Sequence, residues 1–170
     1  MPPRSCAASS MVKICFVCLG NICRSPTAEA VMRDVVAKDG LSDLVDVDSA
    51  GTGDWHVGEP PDARSVEAAK RRGITVSGRA RQFQDRDWDV FDYVIAMDRS
   101  NYEALARSAP LGVAEKKLAL LRSFDPASPP NADVPDPYYT RDGFDEVIDL
   151  CIAACNPLLQ HIRRTHGFEK

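Results

Sequence analysis

The chain has 170 residues, 44 % of them hydrophobic, and a formal net charge of −4 at pH 7, which suits one well-buried domain and leaves too little chain for two ordinary ones. The acidic balance argues against nucleic acid or an anionic membrane as the main partner, since both draw a basic surface; positive charge is expected to gather locally instead. No apolar run approaches the roughly 18 residues of a membrane span.

Residues 1–10, Met-Pro-Pro-Arg-Ser-Cys-Ala-Ala-Ser-Ser, are small, polar and unpatterned. They lack the apolar stretch of a signal peptide and read as a disordered leader before a single domain over 11–168, with Met11 as an alternative start. The expectation is a soluble, cytoplasmic, monomeric protein. Met11 to Val17 is a β-rich apolar run without turn residues, as in a buried strand of a parallel sheet.

Directly after it comes Cys18-Leu19-Gly20-Asn21-Ile22-Cys23-Arg24-Ser25-Pro26, a cysteine and an arginine with five residues between them. Pro26 suits the first position of a helix, and Ala28, Val31, Met32, Val35 and Val36 recur at helical spacing until Gly40 closes the segment. A turn between a strand and a helix N-terminus presents backbone N–H groups and the positive end of a dipole to an anion. Gly20 eases the tight backbone. In that setting Cys18 is expected to be a thiolate nucleophile. Arg24 offers a two-pronged donor for phosphoryl oxygens, and Ser25 can donate its hydroxyl to the sulfur. Phosphate or sulfate is the expected occupant.

Six cysteines invite other readings. Cys15, Cys18 and Cys23 with Cys151 and Cys155 resemble a metal cluster by count, and Cys15-x2-Cys18 a redox motif. Cys15 lies in the apolar strand, however, and Cys151 and Cys155 share an apolar helix face, so buried, reduced thiols are expected, with no metal and no cofactor.

The run from Val17 to Glu29 closely resembles the signature of the low-molecular-weight protein tyrosine phosphatases, and the similarity extends from about Val12 to the last helix. It implies a phosphate loop of Leu19, Gly20, Asn21, Ile22 and Cys23. The Ser49-Ala50-Gly51-Thr52 run, at the end of an alternating strand over Val45 to Ser49, also matches; there Ser49 supports the loop by bonding Asn21. Trp55 on the following Gly- and Pro-rich stretch is implied as a wall of the substrate cleft. His56 reads as a solvated histidine with no partner. Asp62 can cap a helix from Ala63 to Arg72, ended by Gly73.

Ile74-Thr75-Val76 is expected as a brief strand. Ser77 to Gln82 resembles the family again, except that Arg79 stands where relatives often carry a buttressing histidine, a role not carried over. Lys70, Arg71, Arg72, Arg79 and Arg81 form either a basic face near the loop or an ordinary solvated one. Phe91 to Met97 is the next strand, Asp98-Arg99-Ser100-Asn101 opens a helix with Leu105 on its apolar side, and Lys117 to Leu121 is a further strand. The fold class is therefore α/β: a central four-stranded parallel sheet with helices on both faces and the ligand at the carboxyl ends of the strands.

Five prolines between residues 123 and 139 stiffen a long loop holding Asp136, fixed between Pro135 and Pro137. By resemblance to the family's Asp-Pro-Tyr-Tyr motif, Asp136 is the general acid, and Tyr138 and Tyr139 line the pocket with Ile22. The last helix starts near Asp142 and should kink or break before Pro157. Together these residues imply hydrolysis of phosphotyrosine in proteins, and of small aryl phosphates, through a phosphocysteine on Cys18. Phosphoarginine hydrolysis and arsenate reduction are the rival activities on this fold, and a phosphotyrosine-binding module without turnover is a rival of another kind. Family resemblance and loop position also imply Cys23 as a redox partner of Cys18.

Overall fold

A computed structural model describes residues 11–139, apart from the side chain of Tyr139, and 142–168. Residues 1–10, expected as a disordered leader, and the Tyr139 side chain, expected in the pocket, lie outside the described residues. Four parallel strands, β1 (Val12–Cys18), β2 (Val45–Gly51), β3 (Tyr93–Ala96) and β4 (Leu118–Leu120), lie in the order β2-β1-β3-β4. β1 is central because it is apolar on both sides. Ile14 and Phe16 point into one core, Cys15 and Val17 into the other, and all four are fully buried. Burial of side chains the size of Ile14 and Phe16 contributes roughly 1.5–3 kcal/mol each.

Helices α1 (Arg24–Lys38), α2 (Ala63–Lys70) and α6 (Gly143–His166) cover the first face. On the second lie α3 (Asp87–Val90) with Trp88, α4 (Arg99–Ser108) with Leu105, and the short α5 (Val113–Lys117). From β1 the chain passes to one side to make β2 and returns to the other side for β3. The carboxyl ends of β1 and β3 therefore border the crevice where such sheets bind ligands. No helix among the described residues is long and apolar enough to cross a membrane.

Three local expectations need correction. First, α1 begins at Arg24, two residues before Pro26. Thr27 donates both its N–H (3.3 Å) and its hydroxyl (2.7 Å) to the Cys23 carbonyl, so the first turn forms inside the loop. Pro26 is then the third helical residue, where a missing N–H still costs no intrahelical bond.

Second, Ile74 to Val76 is not a strand. The Ile74 N–H closes α2 on the Ala69 carbonyl (3.0 Å), and both Ile74 and Val76 are buried in the first core. The segment supplies apolar side chains without backbone pairing. Contact with the sheet comes later, where Gly51 donates to the Arg81 carbonyl and accepts from Phe83, each at 2.8 Å.

Third, α6 runs through Pro157 without a break. Ala154, Cys155, Leu158 and Leu159 are all fully buried on either side of it, and the Asn156 side chain donates to the Ile152 carbonyl (3.1 Å) in the turn that the proline weakens. Packing along the whole face outweighs the one backbone bond that proline removes.

Candidate active site

The loop after β1 is held by one asparagine. Asn21 has a left-handed backbone (φ 58°), a conformation its short polar side chain tolerates, and this turns its N–H onto Cys18 Sγ at 3.3 Å. Its side-chain NH2 donates to Ser25 Oγ (2.8 Å) and Ser49 Oγ (3.0 Å), while its oxygen accepts the Arg81 backbone N–H (3.0 Å). The Ser49 hydroxyl in turn donates to Glu29 Oε1 at 2.8 Å. Ser25 Oγ lies 3.0 Å from Cys18 Sγ, a contact in which either group can donate, and donates to the Ala50 carbonyl at 3.3 Å. The bonds between Ser49 and Asn21 and between Ser25 and Cys18 are as expected. Glu29 was missed, because its role depends on Ser49, twenty positions downstream.

The end of β2 supports the same loop with bare backbone. Thr52 and Gly53 donate to the carbonyls of Cys18 and Leu19 at 2.8 and 2.9 Å. A Cβ on Gly51 would lie 2.8 Å from the Leu19 oxygen and 3.2 Å from the Asn21 nitrogen, so only glycine permits this approach.

Arg24 is buried and aimed across the cleft. Its guanidinium donates to Asp98 Oδ2 (2.6 Å) and to the Val134 carbonyl (3.1 Å), and its other terminal nitrogen is 3.8 Å from Asp136 Oδ2. Burial opposes the positive charge, but Cys18, Asp98 and Asp136 overcome it and raise the Arg24 pKa further. Asp98 was not assigned a role in sequence. One of its oxygens holds Arg24 and the other accepts the Asn101 N–H (2.7 Å) to cap α4. The Met-Asp-x-Ser-Asn run carried the signal for the cap, and nothing local pointed to Arg24.

Asp136 stands on the rim, its Oδ1 accepting the Tyr138 N–H at 3.0 Å. Cys18, Arg24, Asp136, Ile22, Trp55 and Tyr138 border a cleft of about 340 Å³, and Trp55 is 68 % exposed. His56 lines this cleft too, and it has a partner: Nδ1 lies 2.5 Å from Glu59 Oε2. Its ring also packs on the loop, since a Cβ on Gly20 would meet His56 Cδ2 at 2.9 Å. Glu59, three residues downstream, was the signal available in sequence.

Among the described residues, Cys15, Cys23, Cys151 and Cys155 are buried as well. Residues 15 and 18 of one strand point to opposite faces, so Cys15 sits in the second core while Cys18 and Cys23 border the first. Burial raises the Cys15 thiol well above its ordinary pKa. Burial, with Asp62 nearby, pushes Cys23 up to about 12, and burial alone takes Cys151 to about 12.

The basic face does not assemble at the loop. Arg71 and Arg72 pair with Asp145 and Asp149 of α6, Arg81 with Asp48 and Asp87, and Arg79 donates to the Gly58 carbonyl. The buttress comes instead from the Arg81 main chain through Asn21.

A strand, an anion-cradling turn and a helix at the crevice of a parallel sheet, with a thiol and a guanidinium in one cleft, define a class: α/β proteins built to hold a phosphoryl group. Comparison with known proteins narrows it. The family profile described as low molecular weight phosphotyrosine protein phosphatase matches residues 13–167. A low molecular weight protein-tyrosine-phosphatase of Streptomyces coelicolor is 48 % identical over 153 residues, 89 % of this chain and 93 % of its own length. The crystal structure of YfkJ from Bacillus subtilis superposes with a TM-score of 0.86 at 44 % identity, covering 92 % of this chain and 97 % of that one. A protein tyrosine phosphatase from Entamoeba histolytica with Hepes in its active site gives 0.85 at 39 % identity, over 93 % and 99 % of the two chains. The chain belongs to the low molecular weight phosphotyrosine protein phosphatase family, hydrolases of phosphoric monoesters.

Proposed function

We propose that this enzyme hydrolyses phosphotyrosine in proteins, and small aryl phosphates, in two steps through a phosphocysteine. The Cys18 thiolate attacks phosphorus as the bond to the aryl oxygen breaks, while Arg24 and the loop N–H groups hold the equatorial oxygens. Asp136 delivers its proton to the departing phenolate. Ionised Asp136 then takes a proton from water as that water attacks phosphorus, and the sulfur leaves as a thiolate that Ser25 Oγ, 3.0 Å away, can stabilise. The observation that carries this reading is the placement of Asp136 and Arg24 on one cleft with Cys18, Asp136 Oδ2 being 3.8 Å from the guanidinium. Apolar Ile22, Trp55 and Tyr138 around it favour an aromatic ring.

The test uses two variants and a substrate panel. Cys18→Ser should abolish turnover and keep the binding of inorganic phosphate, since the cradle remains; more than about a hundredth of the parent activity would remove Cys18 as nucleophile. Asp136→Asn should slow esters of weakly acidic phenols by roughly 10²–10⁴-fold and those of strongly acidic phenols far less. Phosphotyrosine peptides should be turned over well ahead of phosphoserine and phosphoarginine peptides, and arsenate should not be reduced. Preference for phosphoarginine, or thiol-dependent loss of arsenate, would replace the proposed activity. Cys23 is proposed as the thiol that captures oxidised Cys18, on its place within the same loop.

A further inference from the structure

Arg64 lies outside the catalytic constellation, yet its contacts connect the two halves of it. It is the second residue of α2, and its Nε and one terminal nitrogen form a fork on Asp62, at 3.1 and 2.9 Å to the two carboxylate oxygens. Asp62 caps the same helix by accepting the Arg64 N–H (2.9 Å), and its own N–H donates to the Ile22 carbonyl in the phosphate loop (2.8 Å). One edge of the guanidinium is thus fixed relative to the loop that carries Cys18.

The same guanidinium also serves a different element. Its carbon is 4.7 Å from the ring centre of Phe144, in the first turn of α6, and 5.5 Å from that of Tyr138. Both lie within the range of attraction between a cation and a ring face. Tyr138 is in turn tied to the proposed acid, its N–H donating to Asp136 Oδ1 at 3.0 Å. A chain of contacts therefore runs from the Ile22 carbonyl through Asp62, Arg64 and Tyr138 to the Asp136 carboxylate. Upstream of Asp136, the segment is secured by the Val134 N–H on the Met97 carbonyl (2.8 Å) and by Arg24 on the Val134 carbonyl. Asp136 itself is exposed and in a stretch without regular structure, so the downstream hold matters for its aim.

We propose that Arg64 is a positioning residue for Asp136: forked on Asp62 and lying over the rings of Tyr138 and Phe144, it fixes the acid-bearing segment at a set distance from the phosphate loop. One group must bond Asp62 through two nitrogens while its carbon lies over two rings, and lysine, a single point charge, cannot form the fork. This inference rests on the assignment of Asp136 as general acid.

The experiment measures kcat/KM for aryl phosphates spanning phenol acidity in the parent, Arg64→Ala, Arg64→Lys, Asp136→Asn and the Arg64→Ala/Asp136→Asn double variant, with vanadate affinity as the control for an intact loop. Arg64→Ala should lose about 10-fold on esters of weakly acidic phenols, the order of effect of a modest misplacement, and little on those of strongly acidic phenols. Vanadate affinity should stay close to that of the parent. Arg64→Lys should fail to restore the loss. In the Asp136→Asn background, Arg64→Ala should have no further leaving-group-dependent effect. An equal loss across all phenols, or a full additive loss in the double variant, overturns the positioning role while leaving the acid assignment intact. If Asp136→Asn shows no dependence on phenol acidity, the acid assignment fails and the Arg64 proposal fails with it.

Discussion

Replacing Asn21 tests how the phosphate loop keeps its shape. In Asn21→Ala the two hydroxyl contacts, to Ser25 and Ser49, disappear, at about 1 kcal/mol each. Both hydroxyls keep another partner, Ala50 or Cys18 for Ser25 and Glu29 for Ser49. The Arg81 N–H loses the acceptor it has on Asn21, which costs about 1 kcal/mol more in a part-buried position, and an alanine at φ 58° adds about 1 kcal/mol of backbone strain. The expected loss is about 4 kcal/mol, a large share of the ~5–15 kcal/mol that holds a domain together. For a chain of this length that lowers the melting midpoint by roughly 8–16 °C. Asn21→Gly forfeits the same bonds and relieves the strain, returning at most about 0.6 kcal/mol after its greater freedom in the unfolded chain is counted. Urea unfolding of both variants, with vanadate titrations alongside, measures each component. Vanadate should bind both more weakly, because the N–H groups no longer converge. A loss below about 1 kcal/mol in each variant, with vanadate affinity unchanged, would refute the assignment of loop shape to Asn21.

Oxidation supplies a second check. Peroxide should inactivate the enzyme reversibly by dithiothreitol, with phosphate protecting, and Cys23→Ser should make the loss largely irreversible as Cys18 passes on to sulfinic acid; equal recovery of variant and parent would remove Cys23 as the resolving thiol. Glu29 gives a pH test. Burial raises its pKa in the folded protein despite the hydrogen bonds from Ser49 and Arg33, so the folded state takes up a proton more readily than the unfolded chain does. Its contribution to stability is complete below the ordinary carboxylate range and is lost as pH rises through the raised value. Glu29→Gln should therefore flatten that limb of the unfolding midpoint against pH, and an unchanged slope would show that another group titrates there.

What was legible in the sequence was local periodicity and spacing. The run from Met11 to Val17 and the helix after it announced a strand and a helix with a Cys-x5-Arg turn between them, because a continuous β-rich apolar run and three-four spacing reflect geometry within a few residues. Side-chain burial was legible at Ile74 and Val76 as well, but backbone pairing was not: which segment lies beside β2 depends on the path of the chain, and Gln82 takes that place. Pro157 reads as a kink or a break because its local cost is visible, whereas the buried face formed by Cys155, Leu158 and Leu159 exists only once α6 packs. The same holds for the supports of the site. Asp98 reaches Arg24 across 74 positions and Arg81 reaches Asn21 across 60, and neither pairing leaves a mark in the sequence near either partner.

The two oxygens of Asp98 have a consequence for how this enzyme can change over generations. One carboxylate starts a helix and holds Arg24 in the cleft, so position 98 answers to two selections at once. Asparagine retains the helix cap and loses the charge that faces Arg24; glutamate retains the charge on a stem too long for the cap. No single substitution satisfies both, and a neutral route away from aspartate requires a prior change elsewhere, either a new cap for α4 or a new anion beside Arg24. Substitutions at that second place would be silent beside Asp98 and decisive without it, so lineages that have left aspartate should carry their compensation as a linked pair.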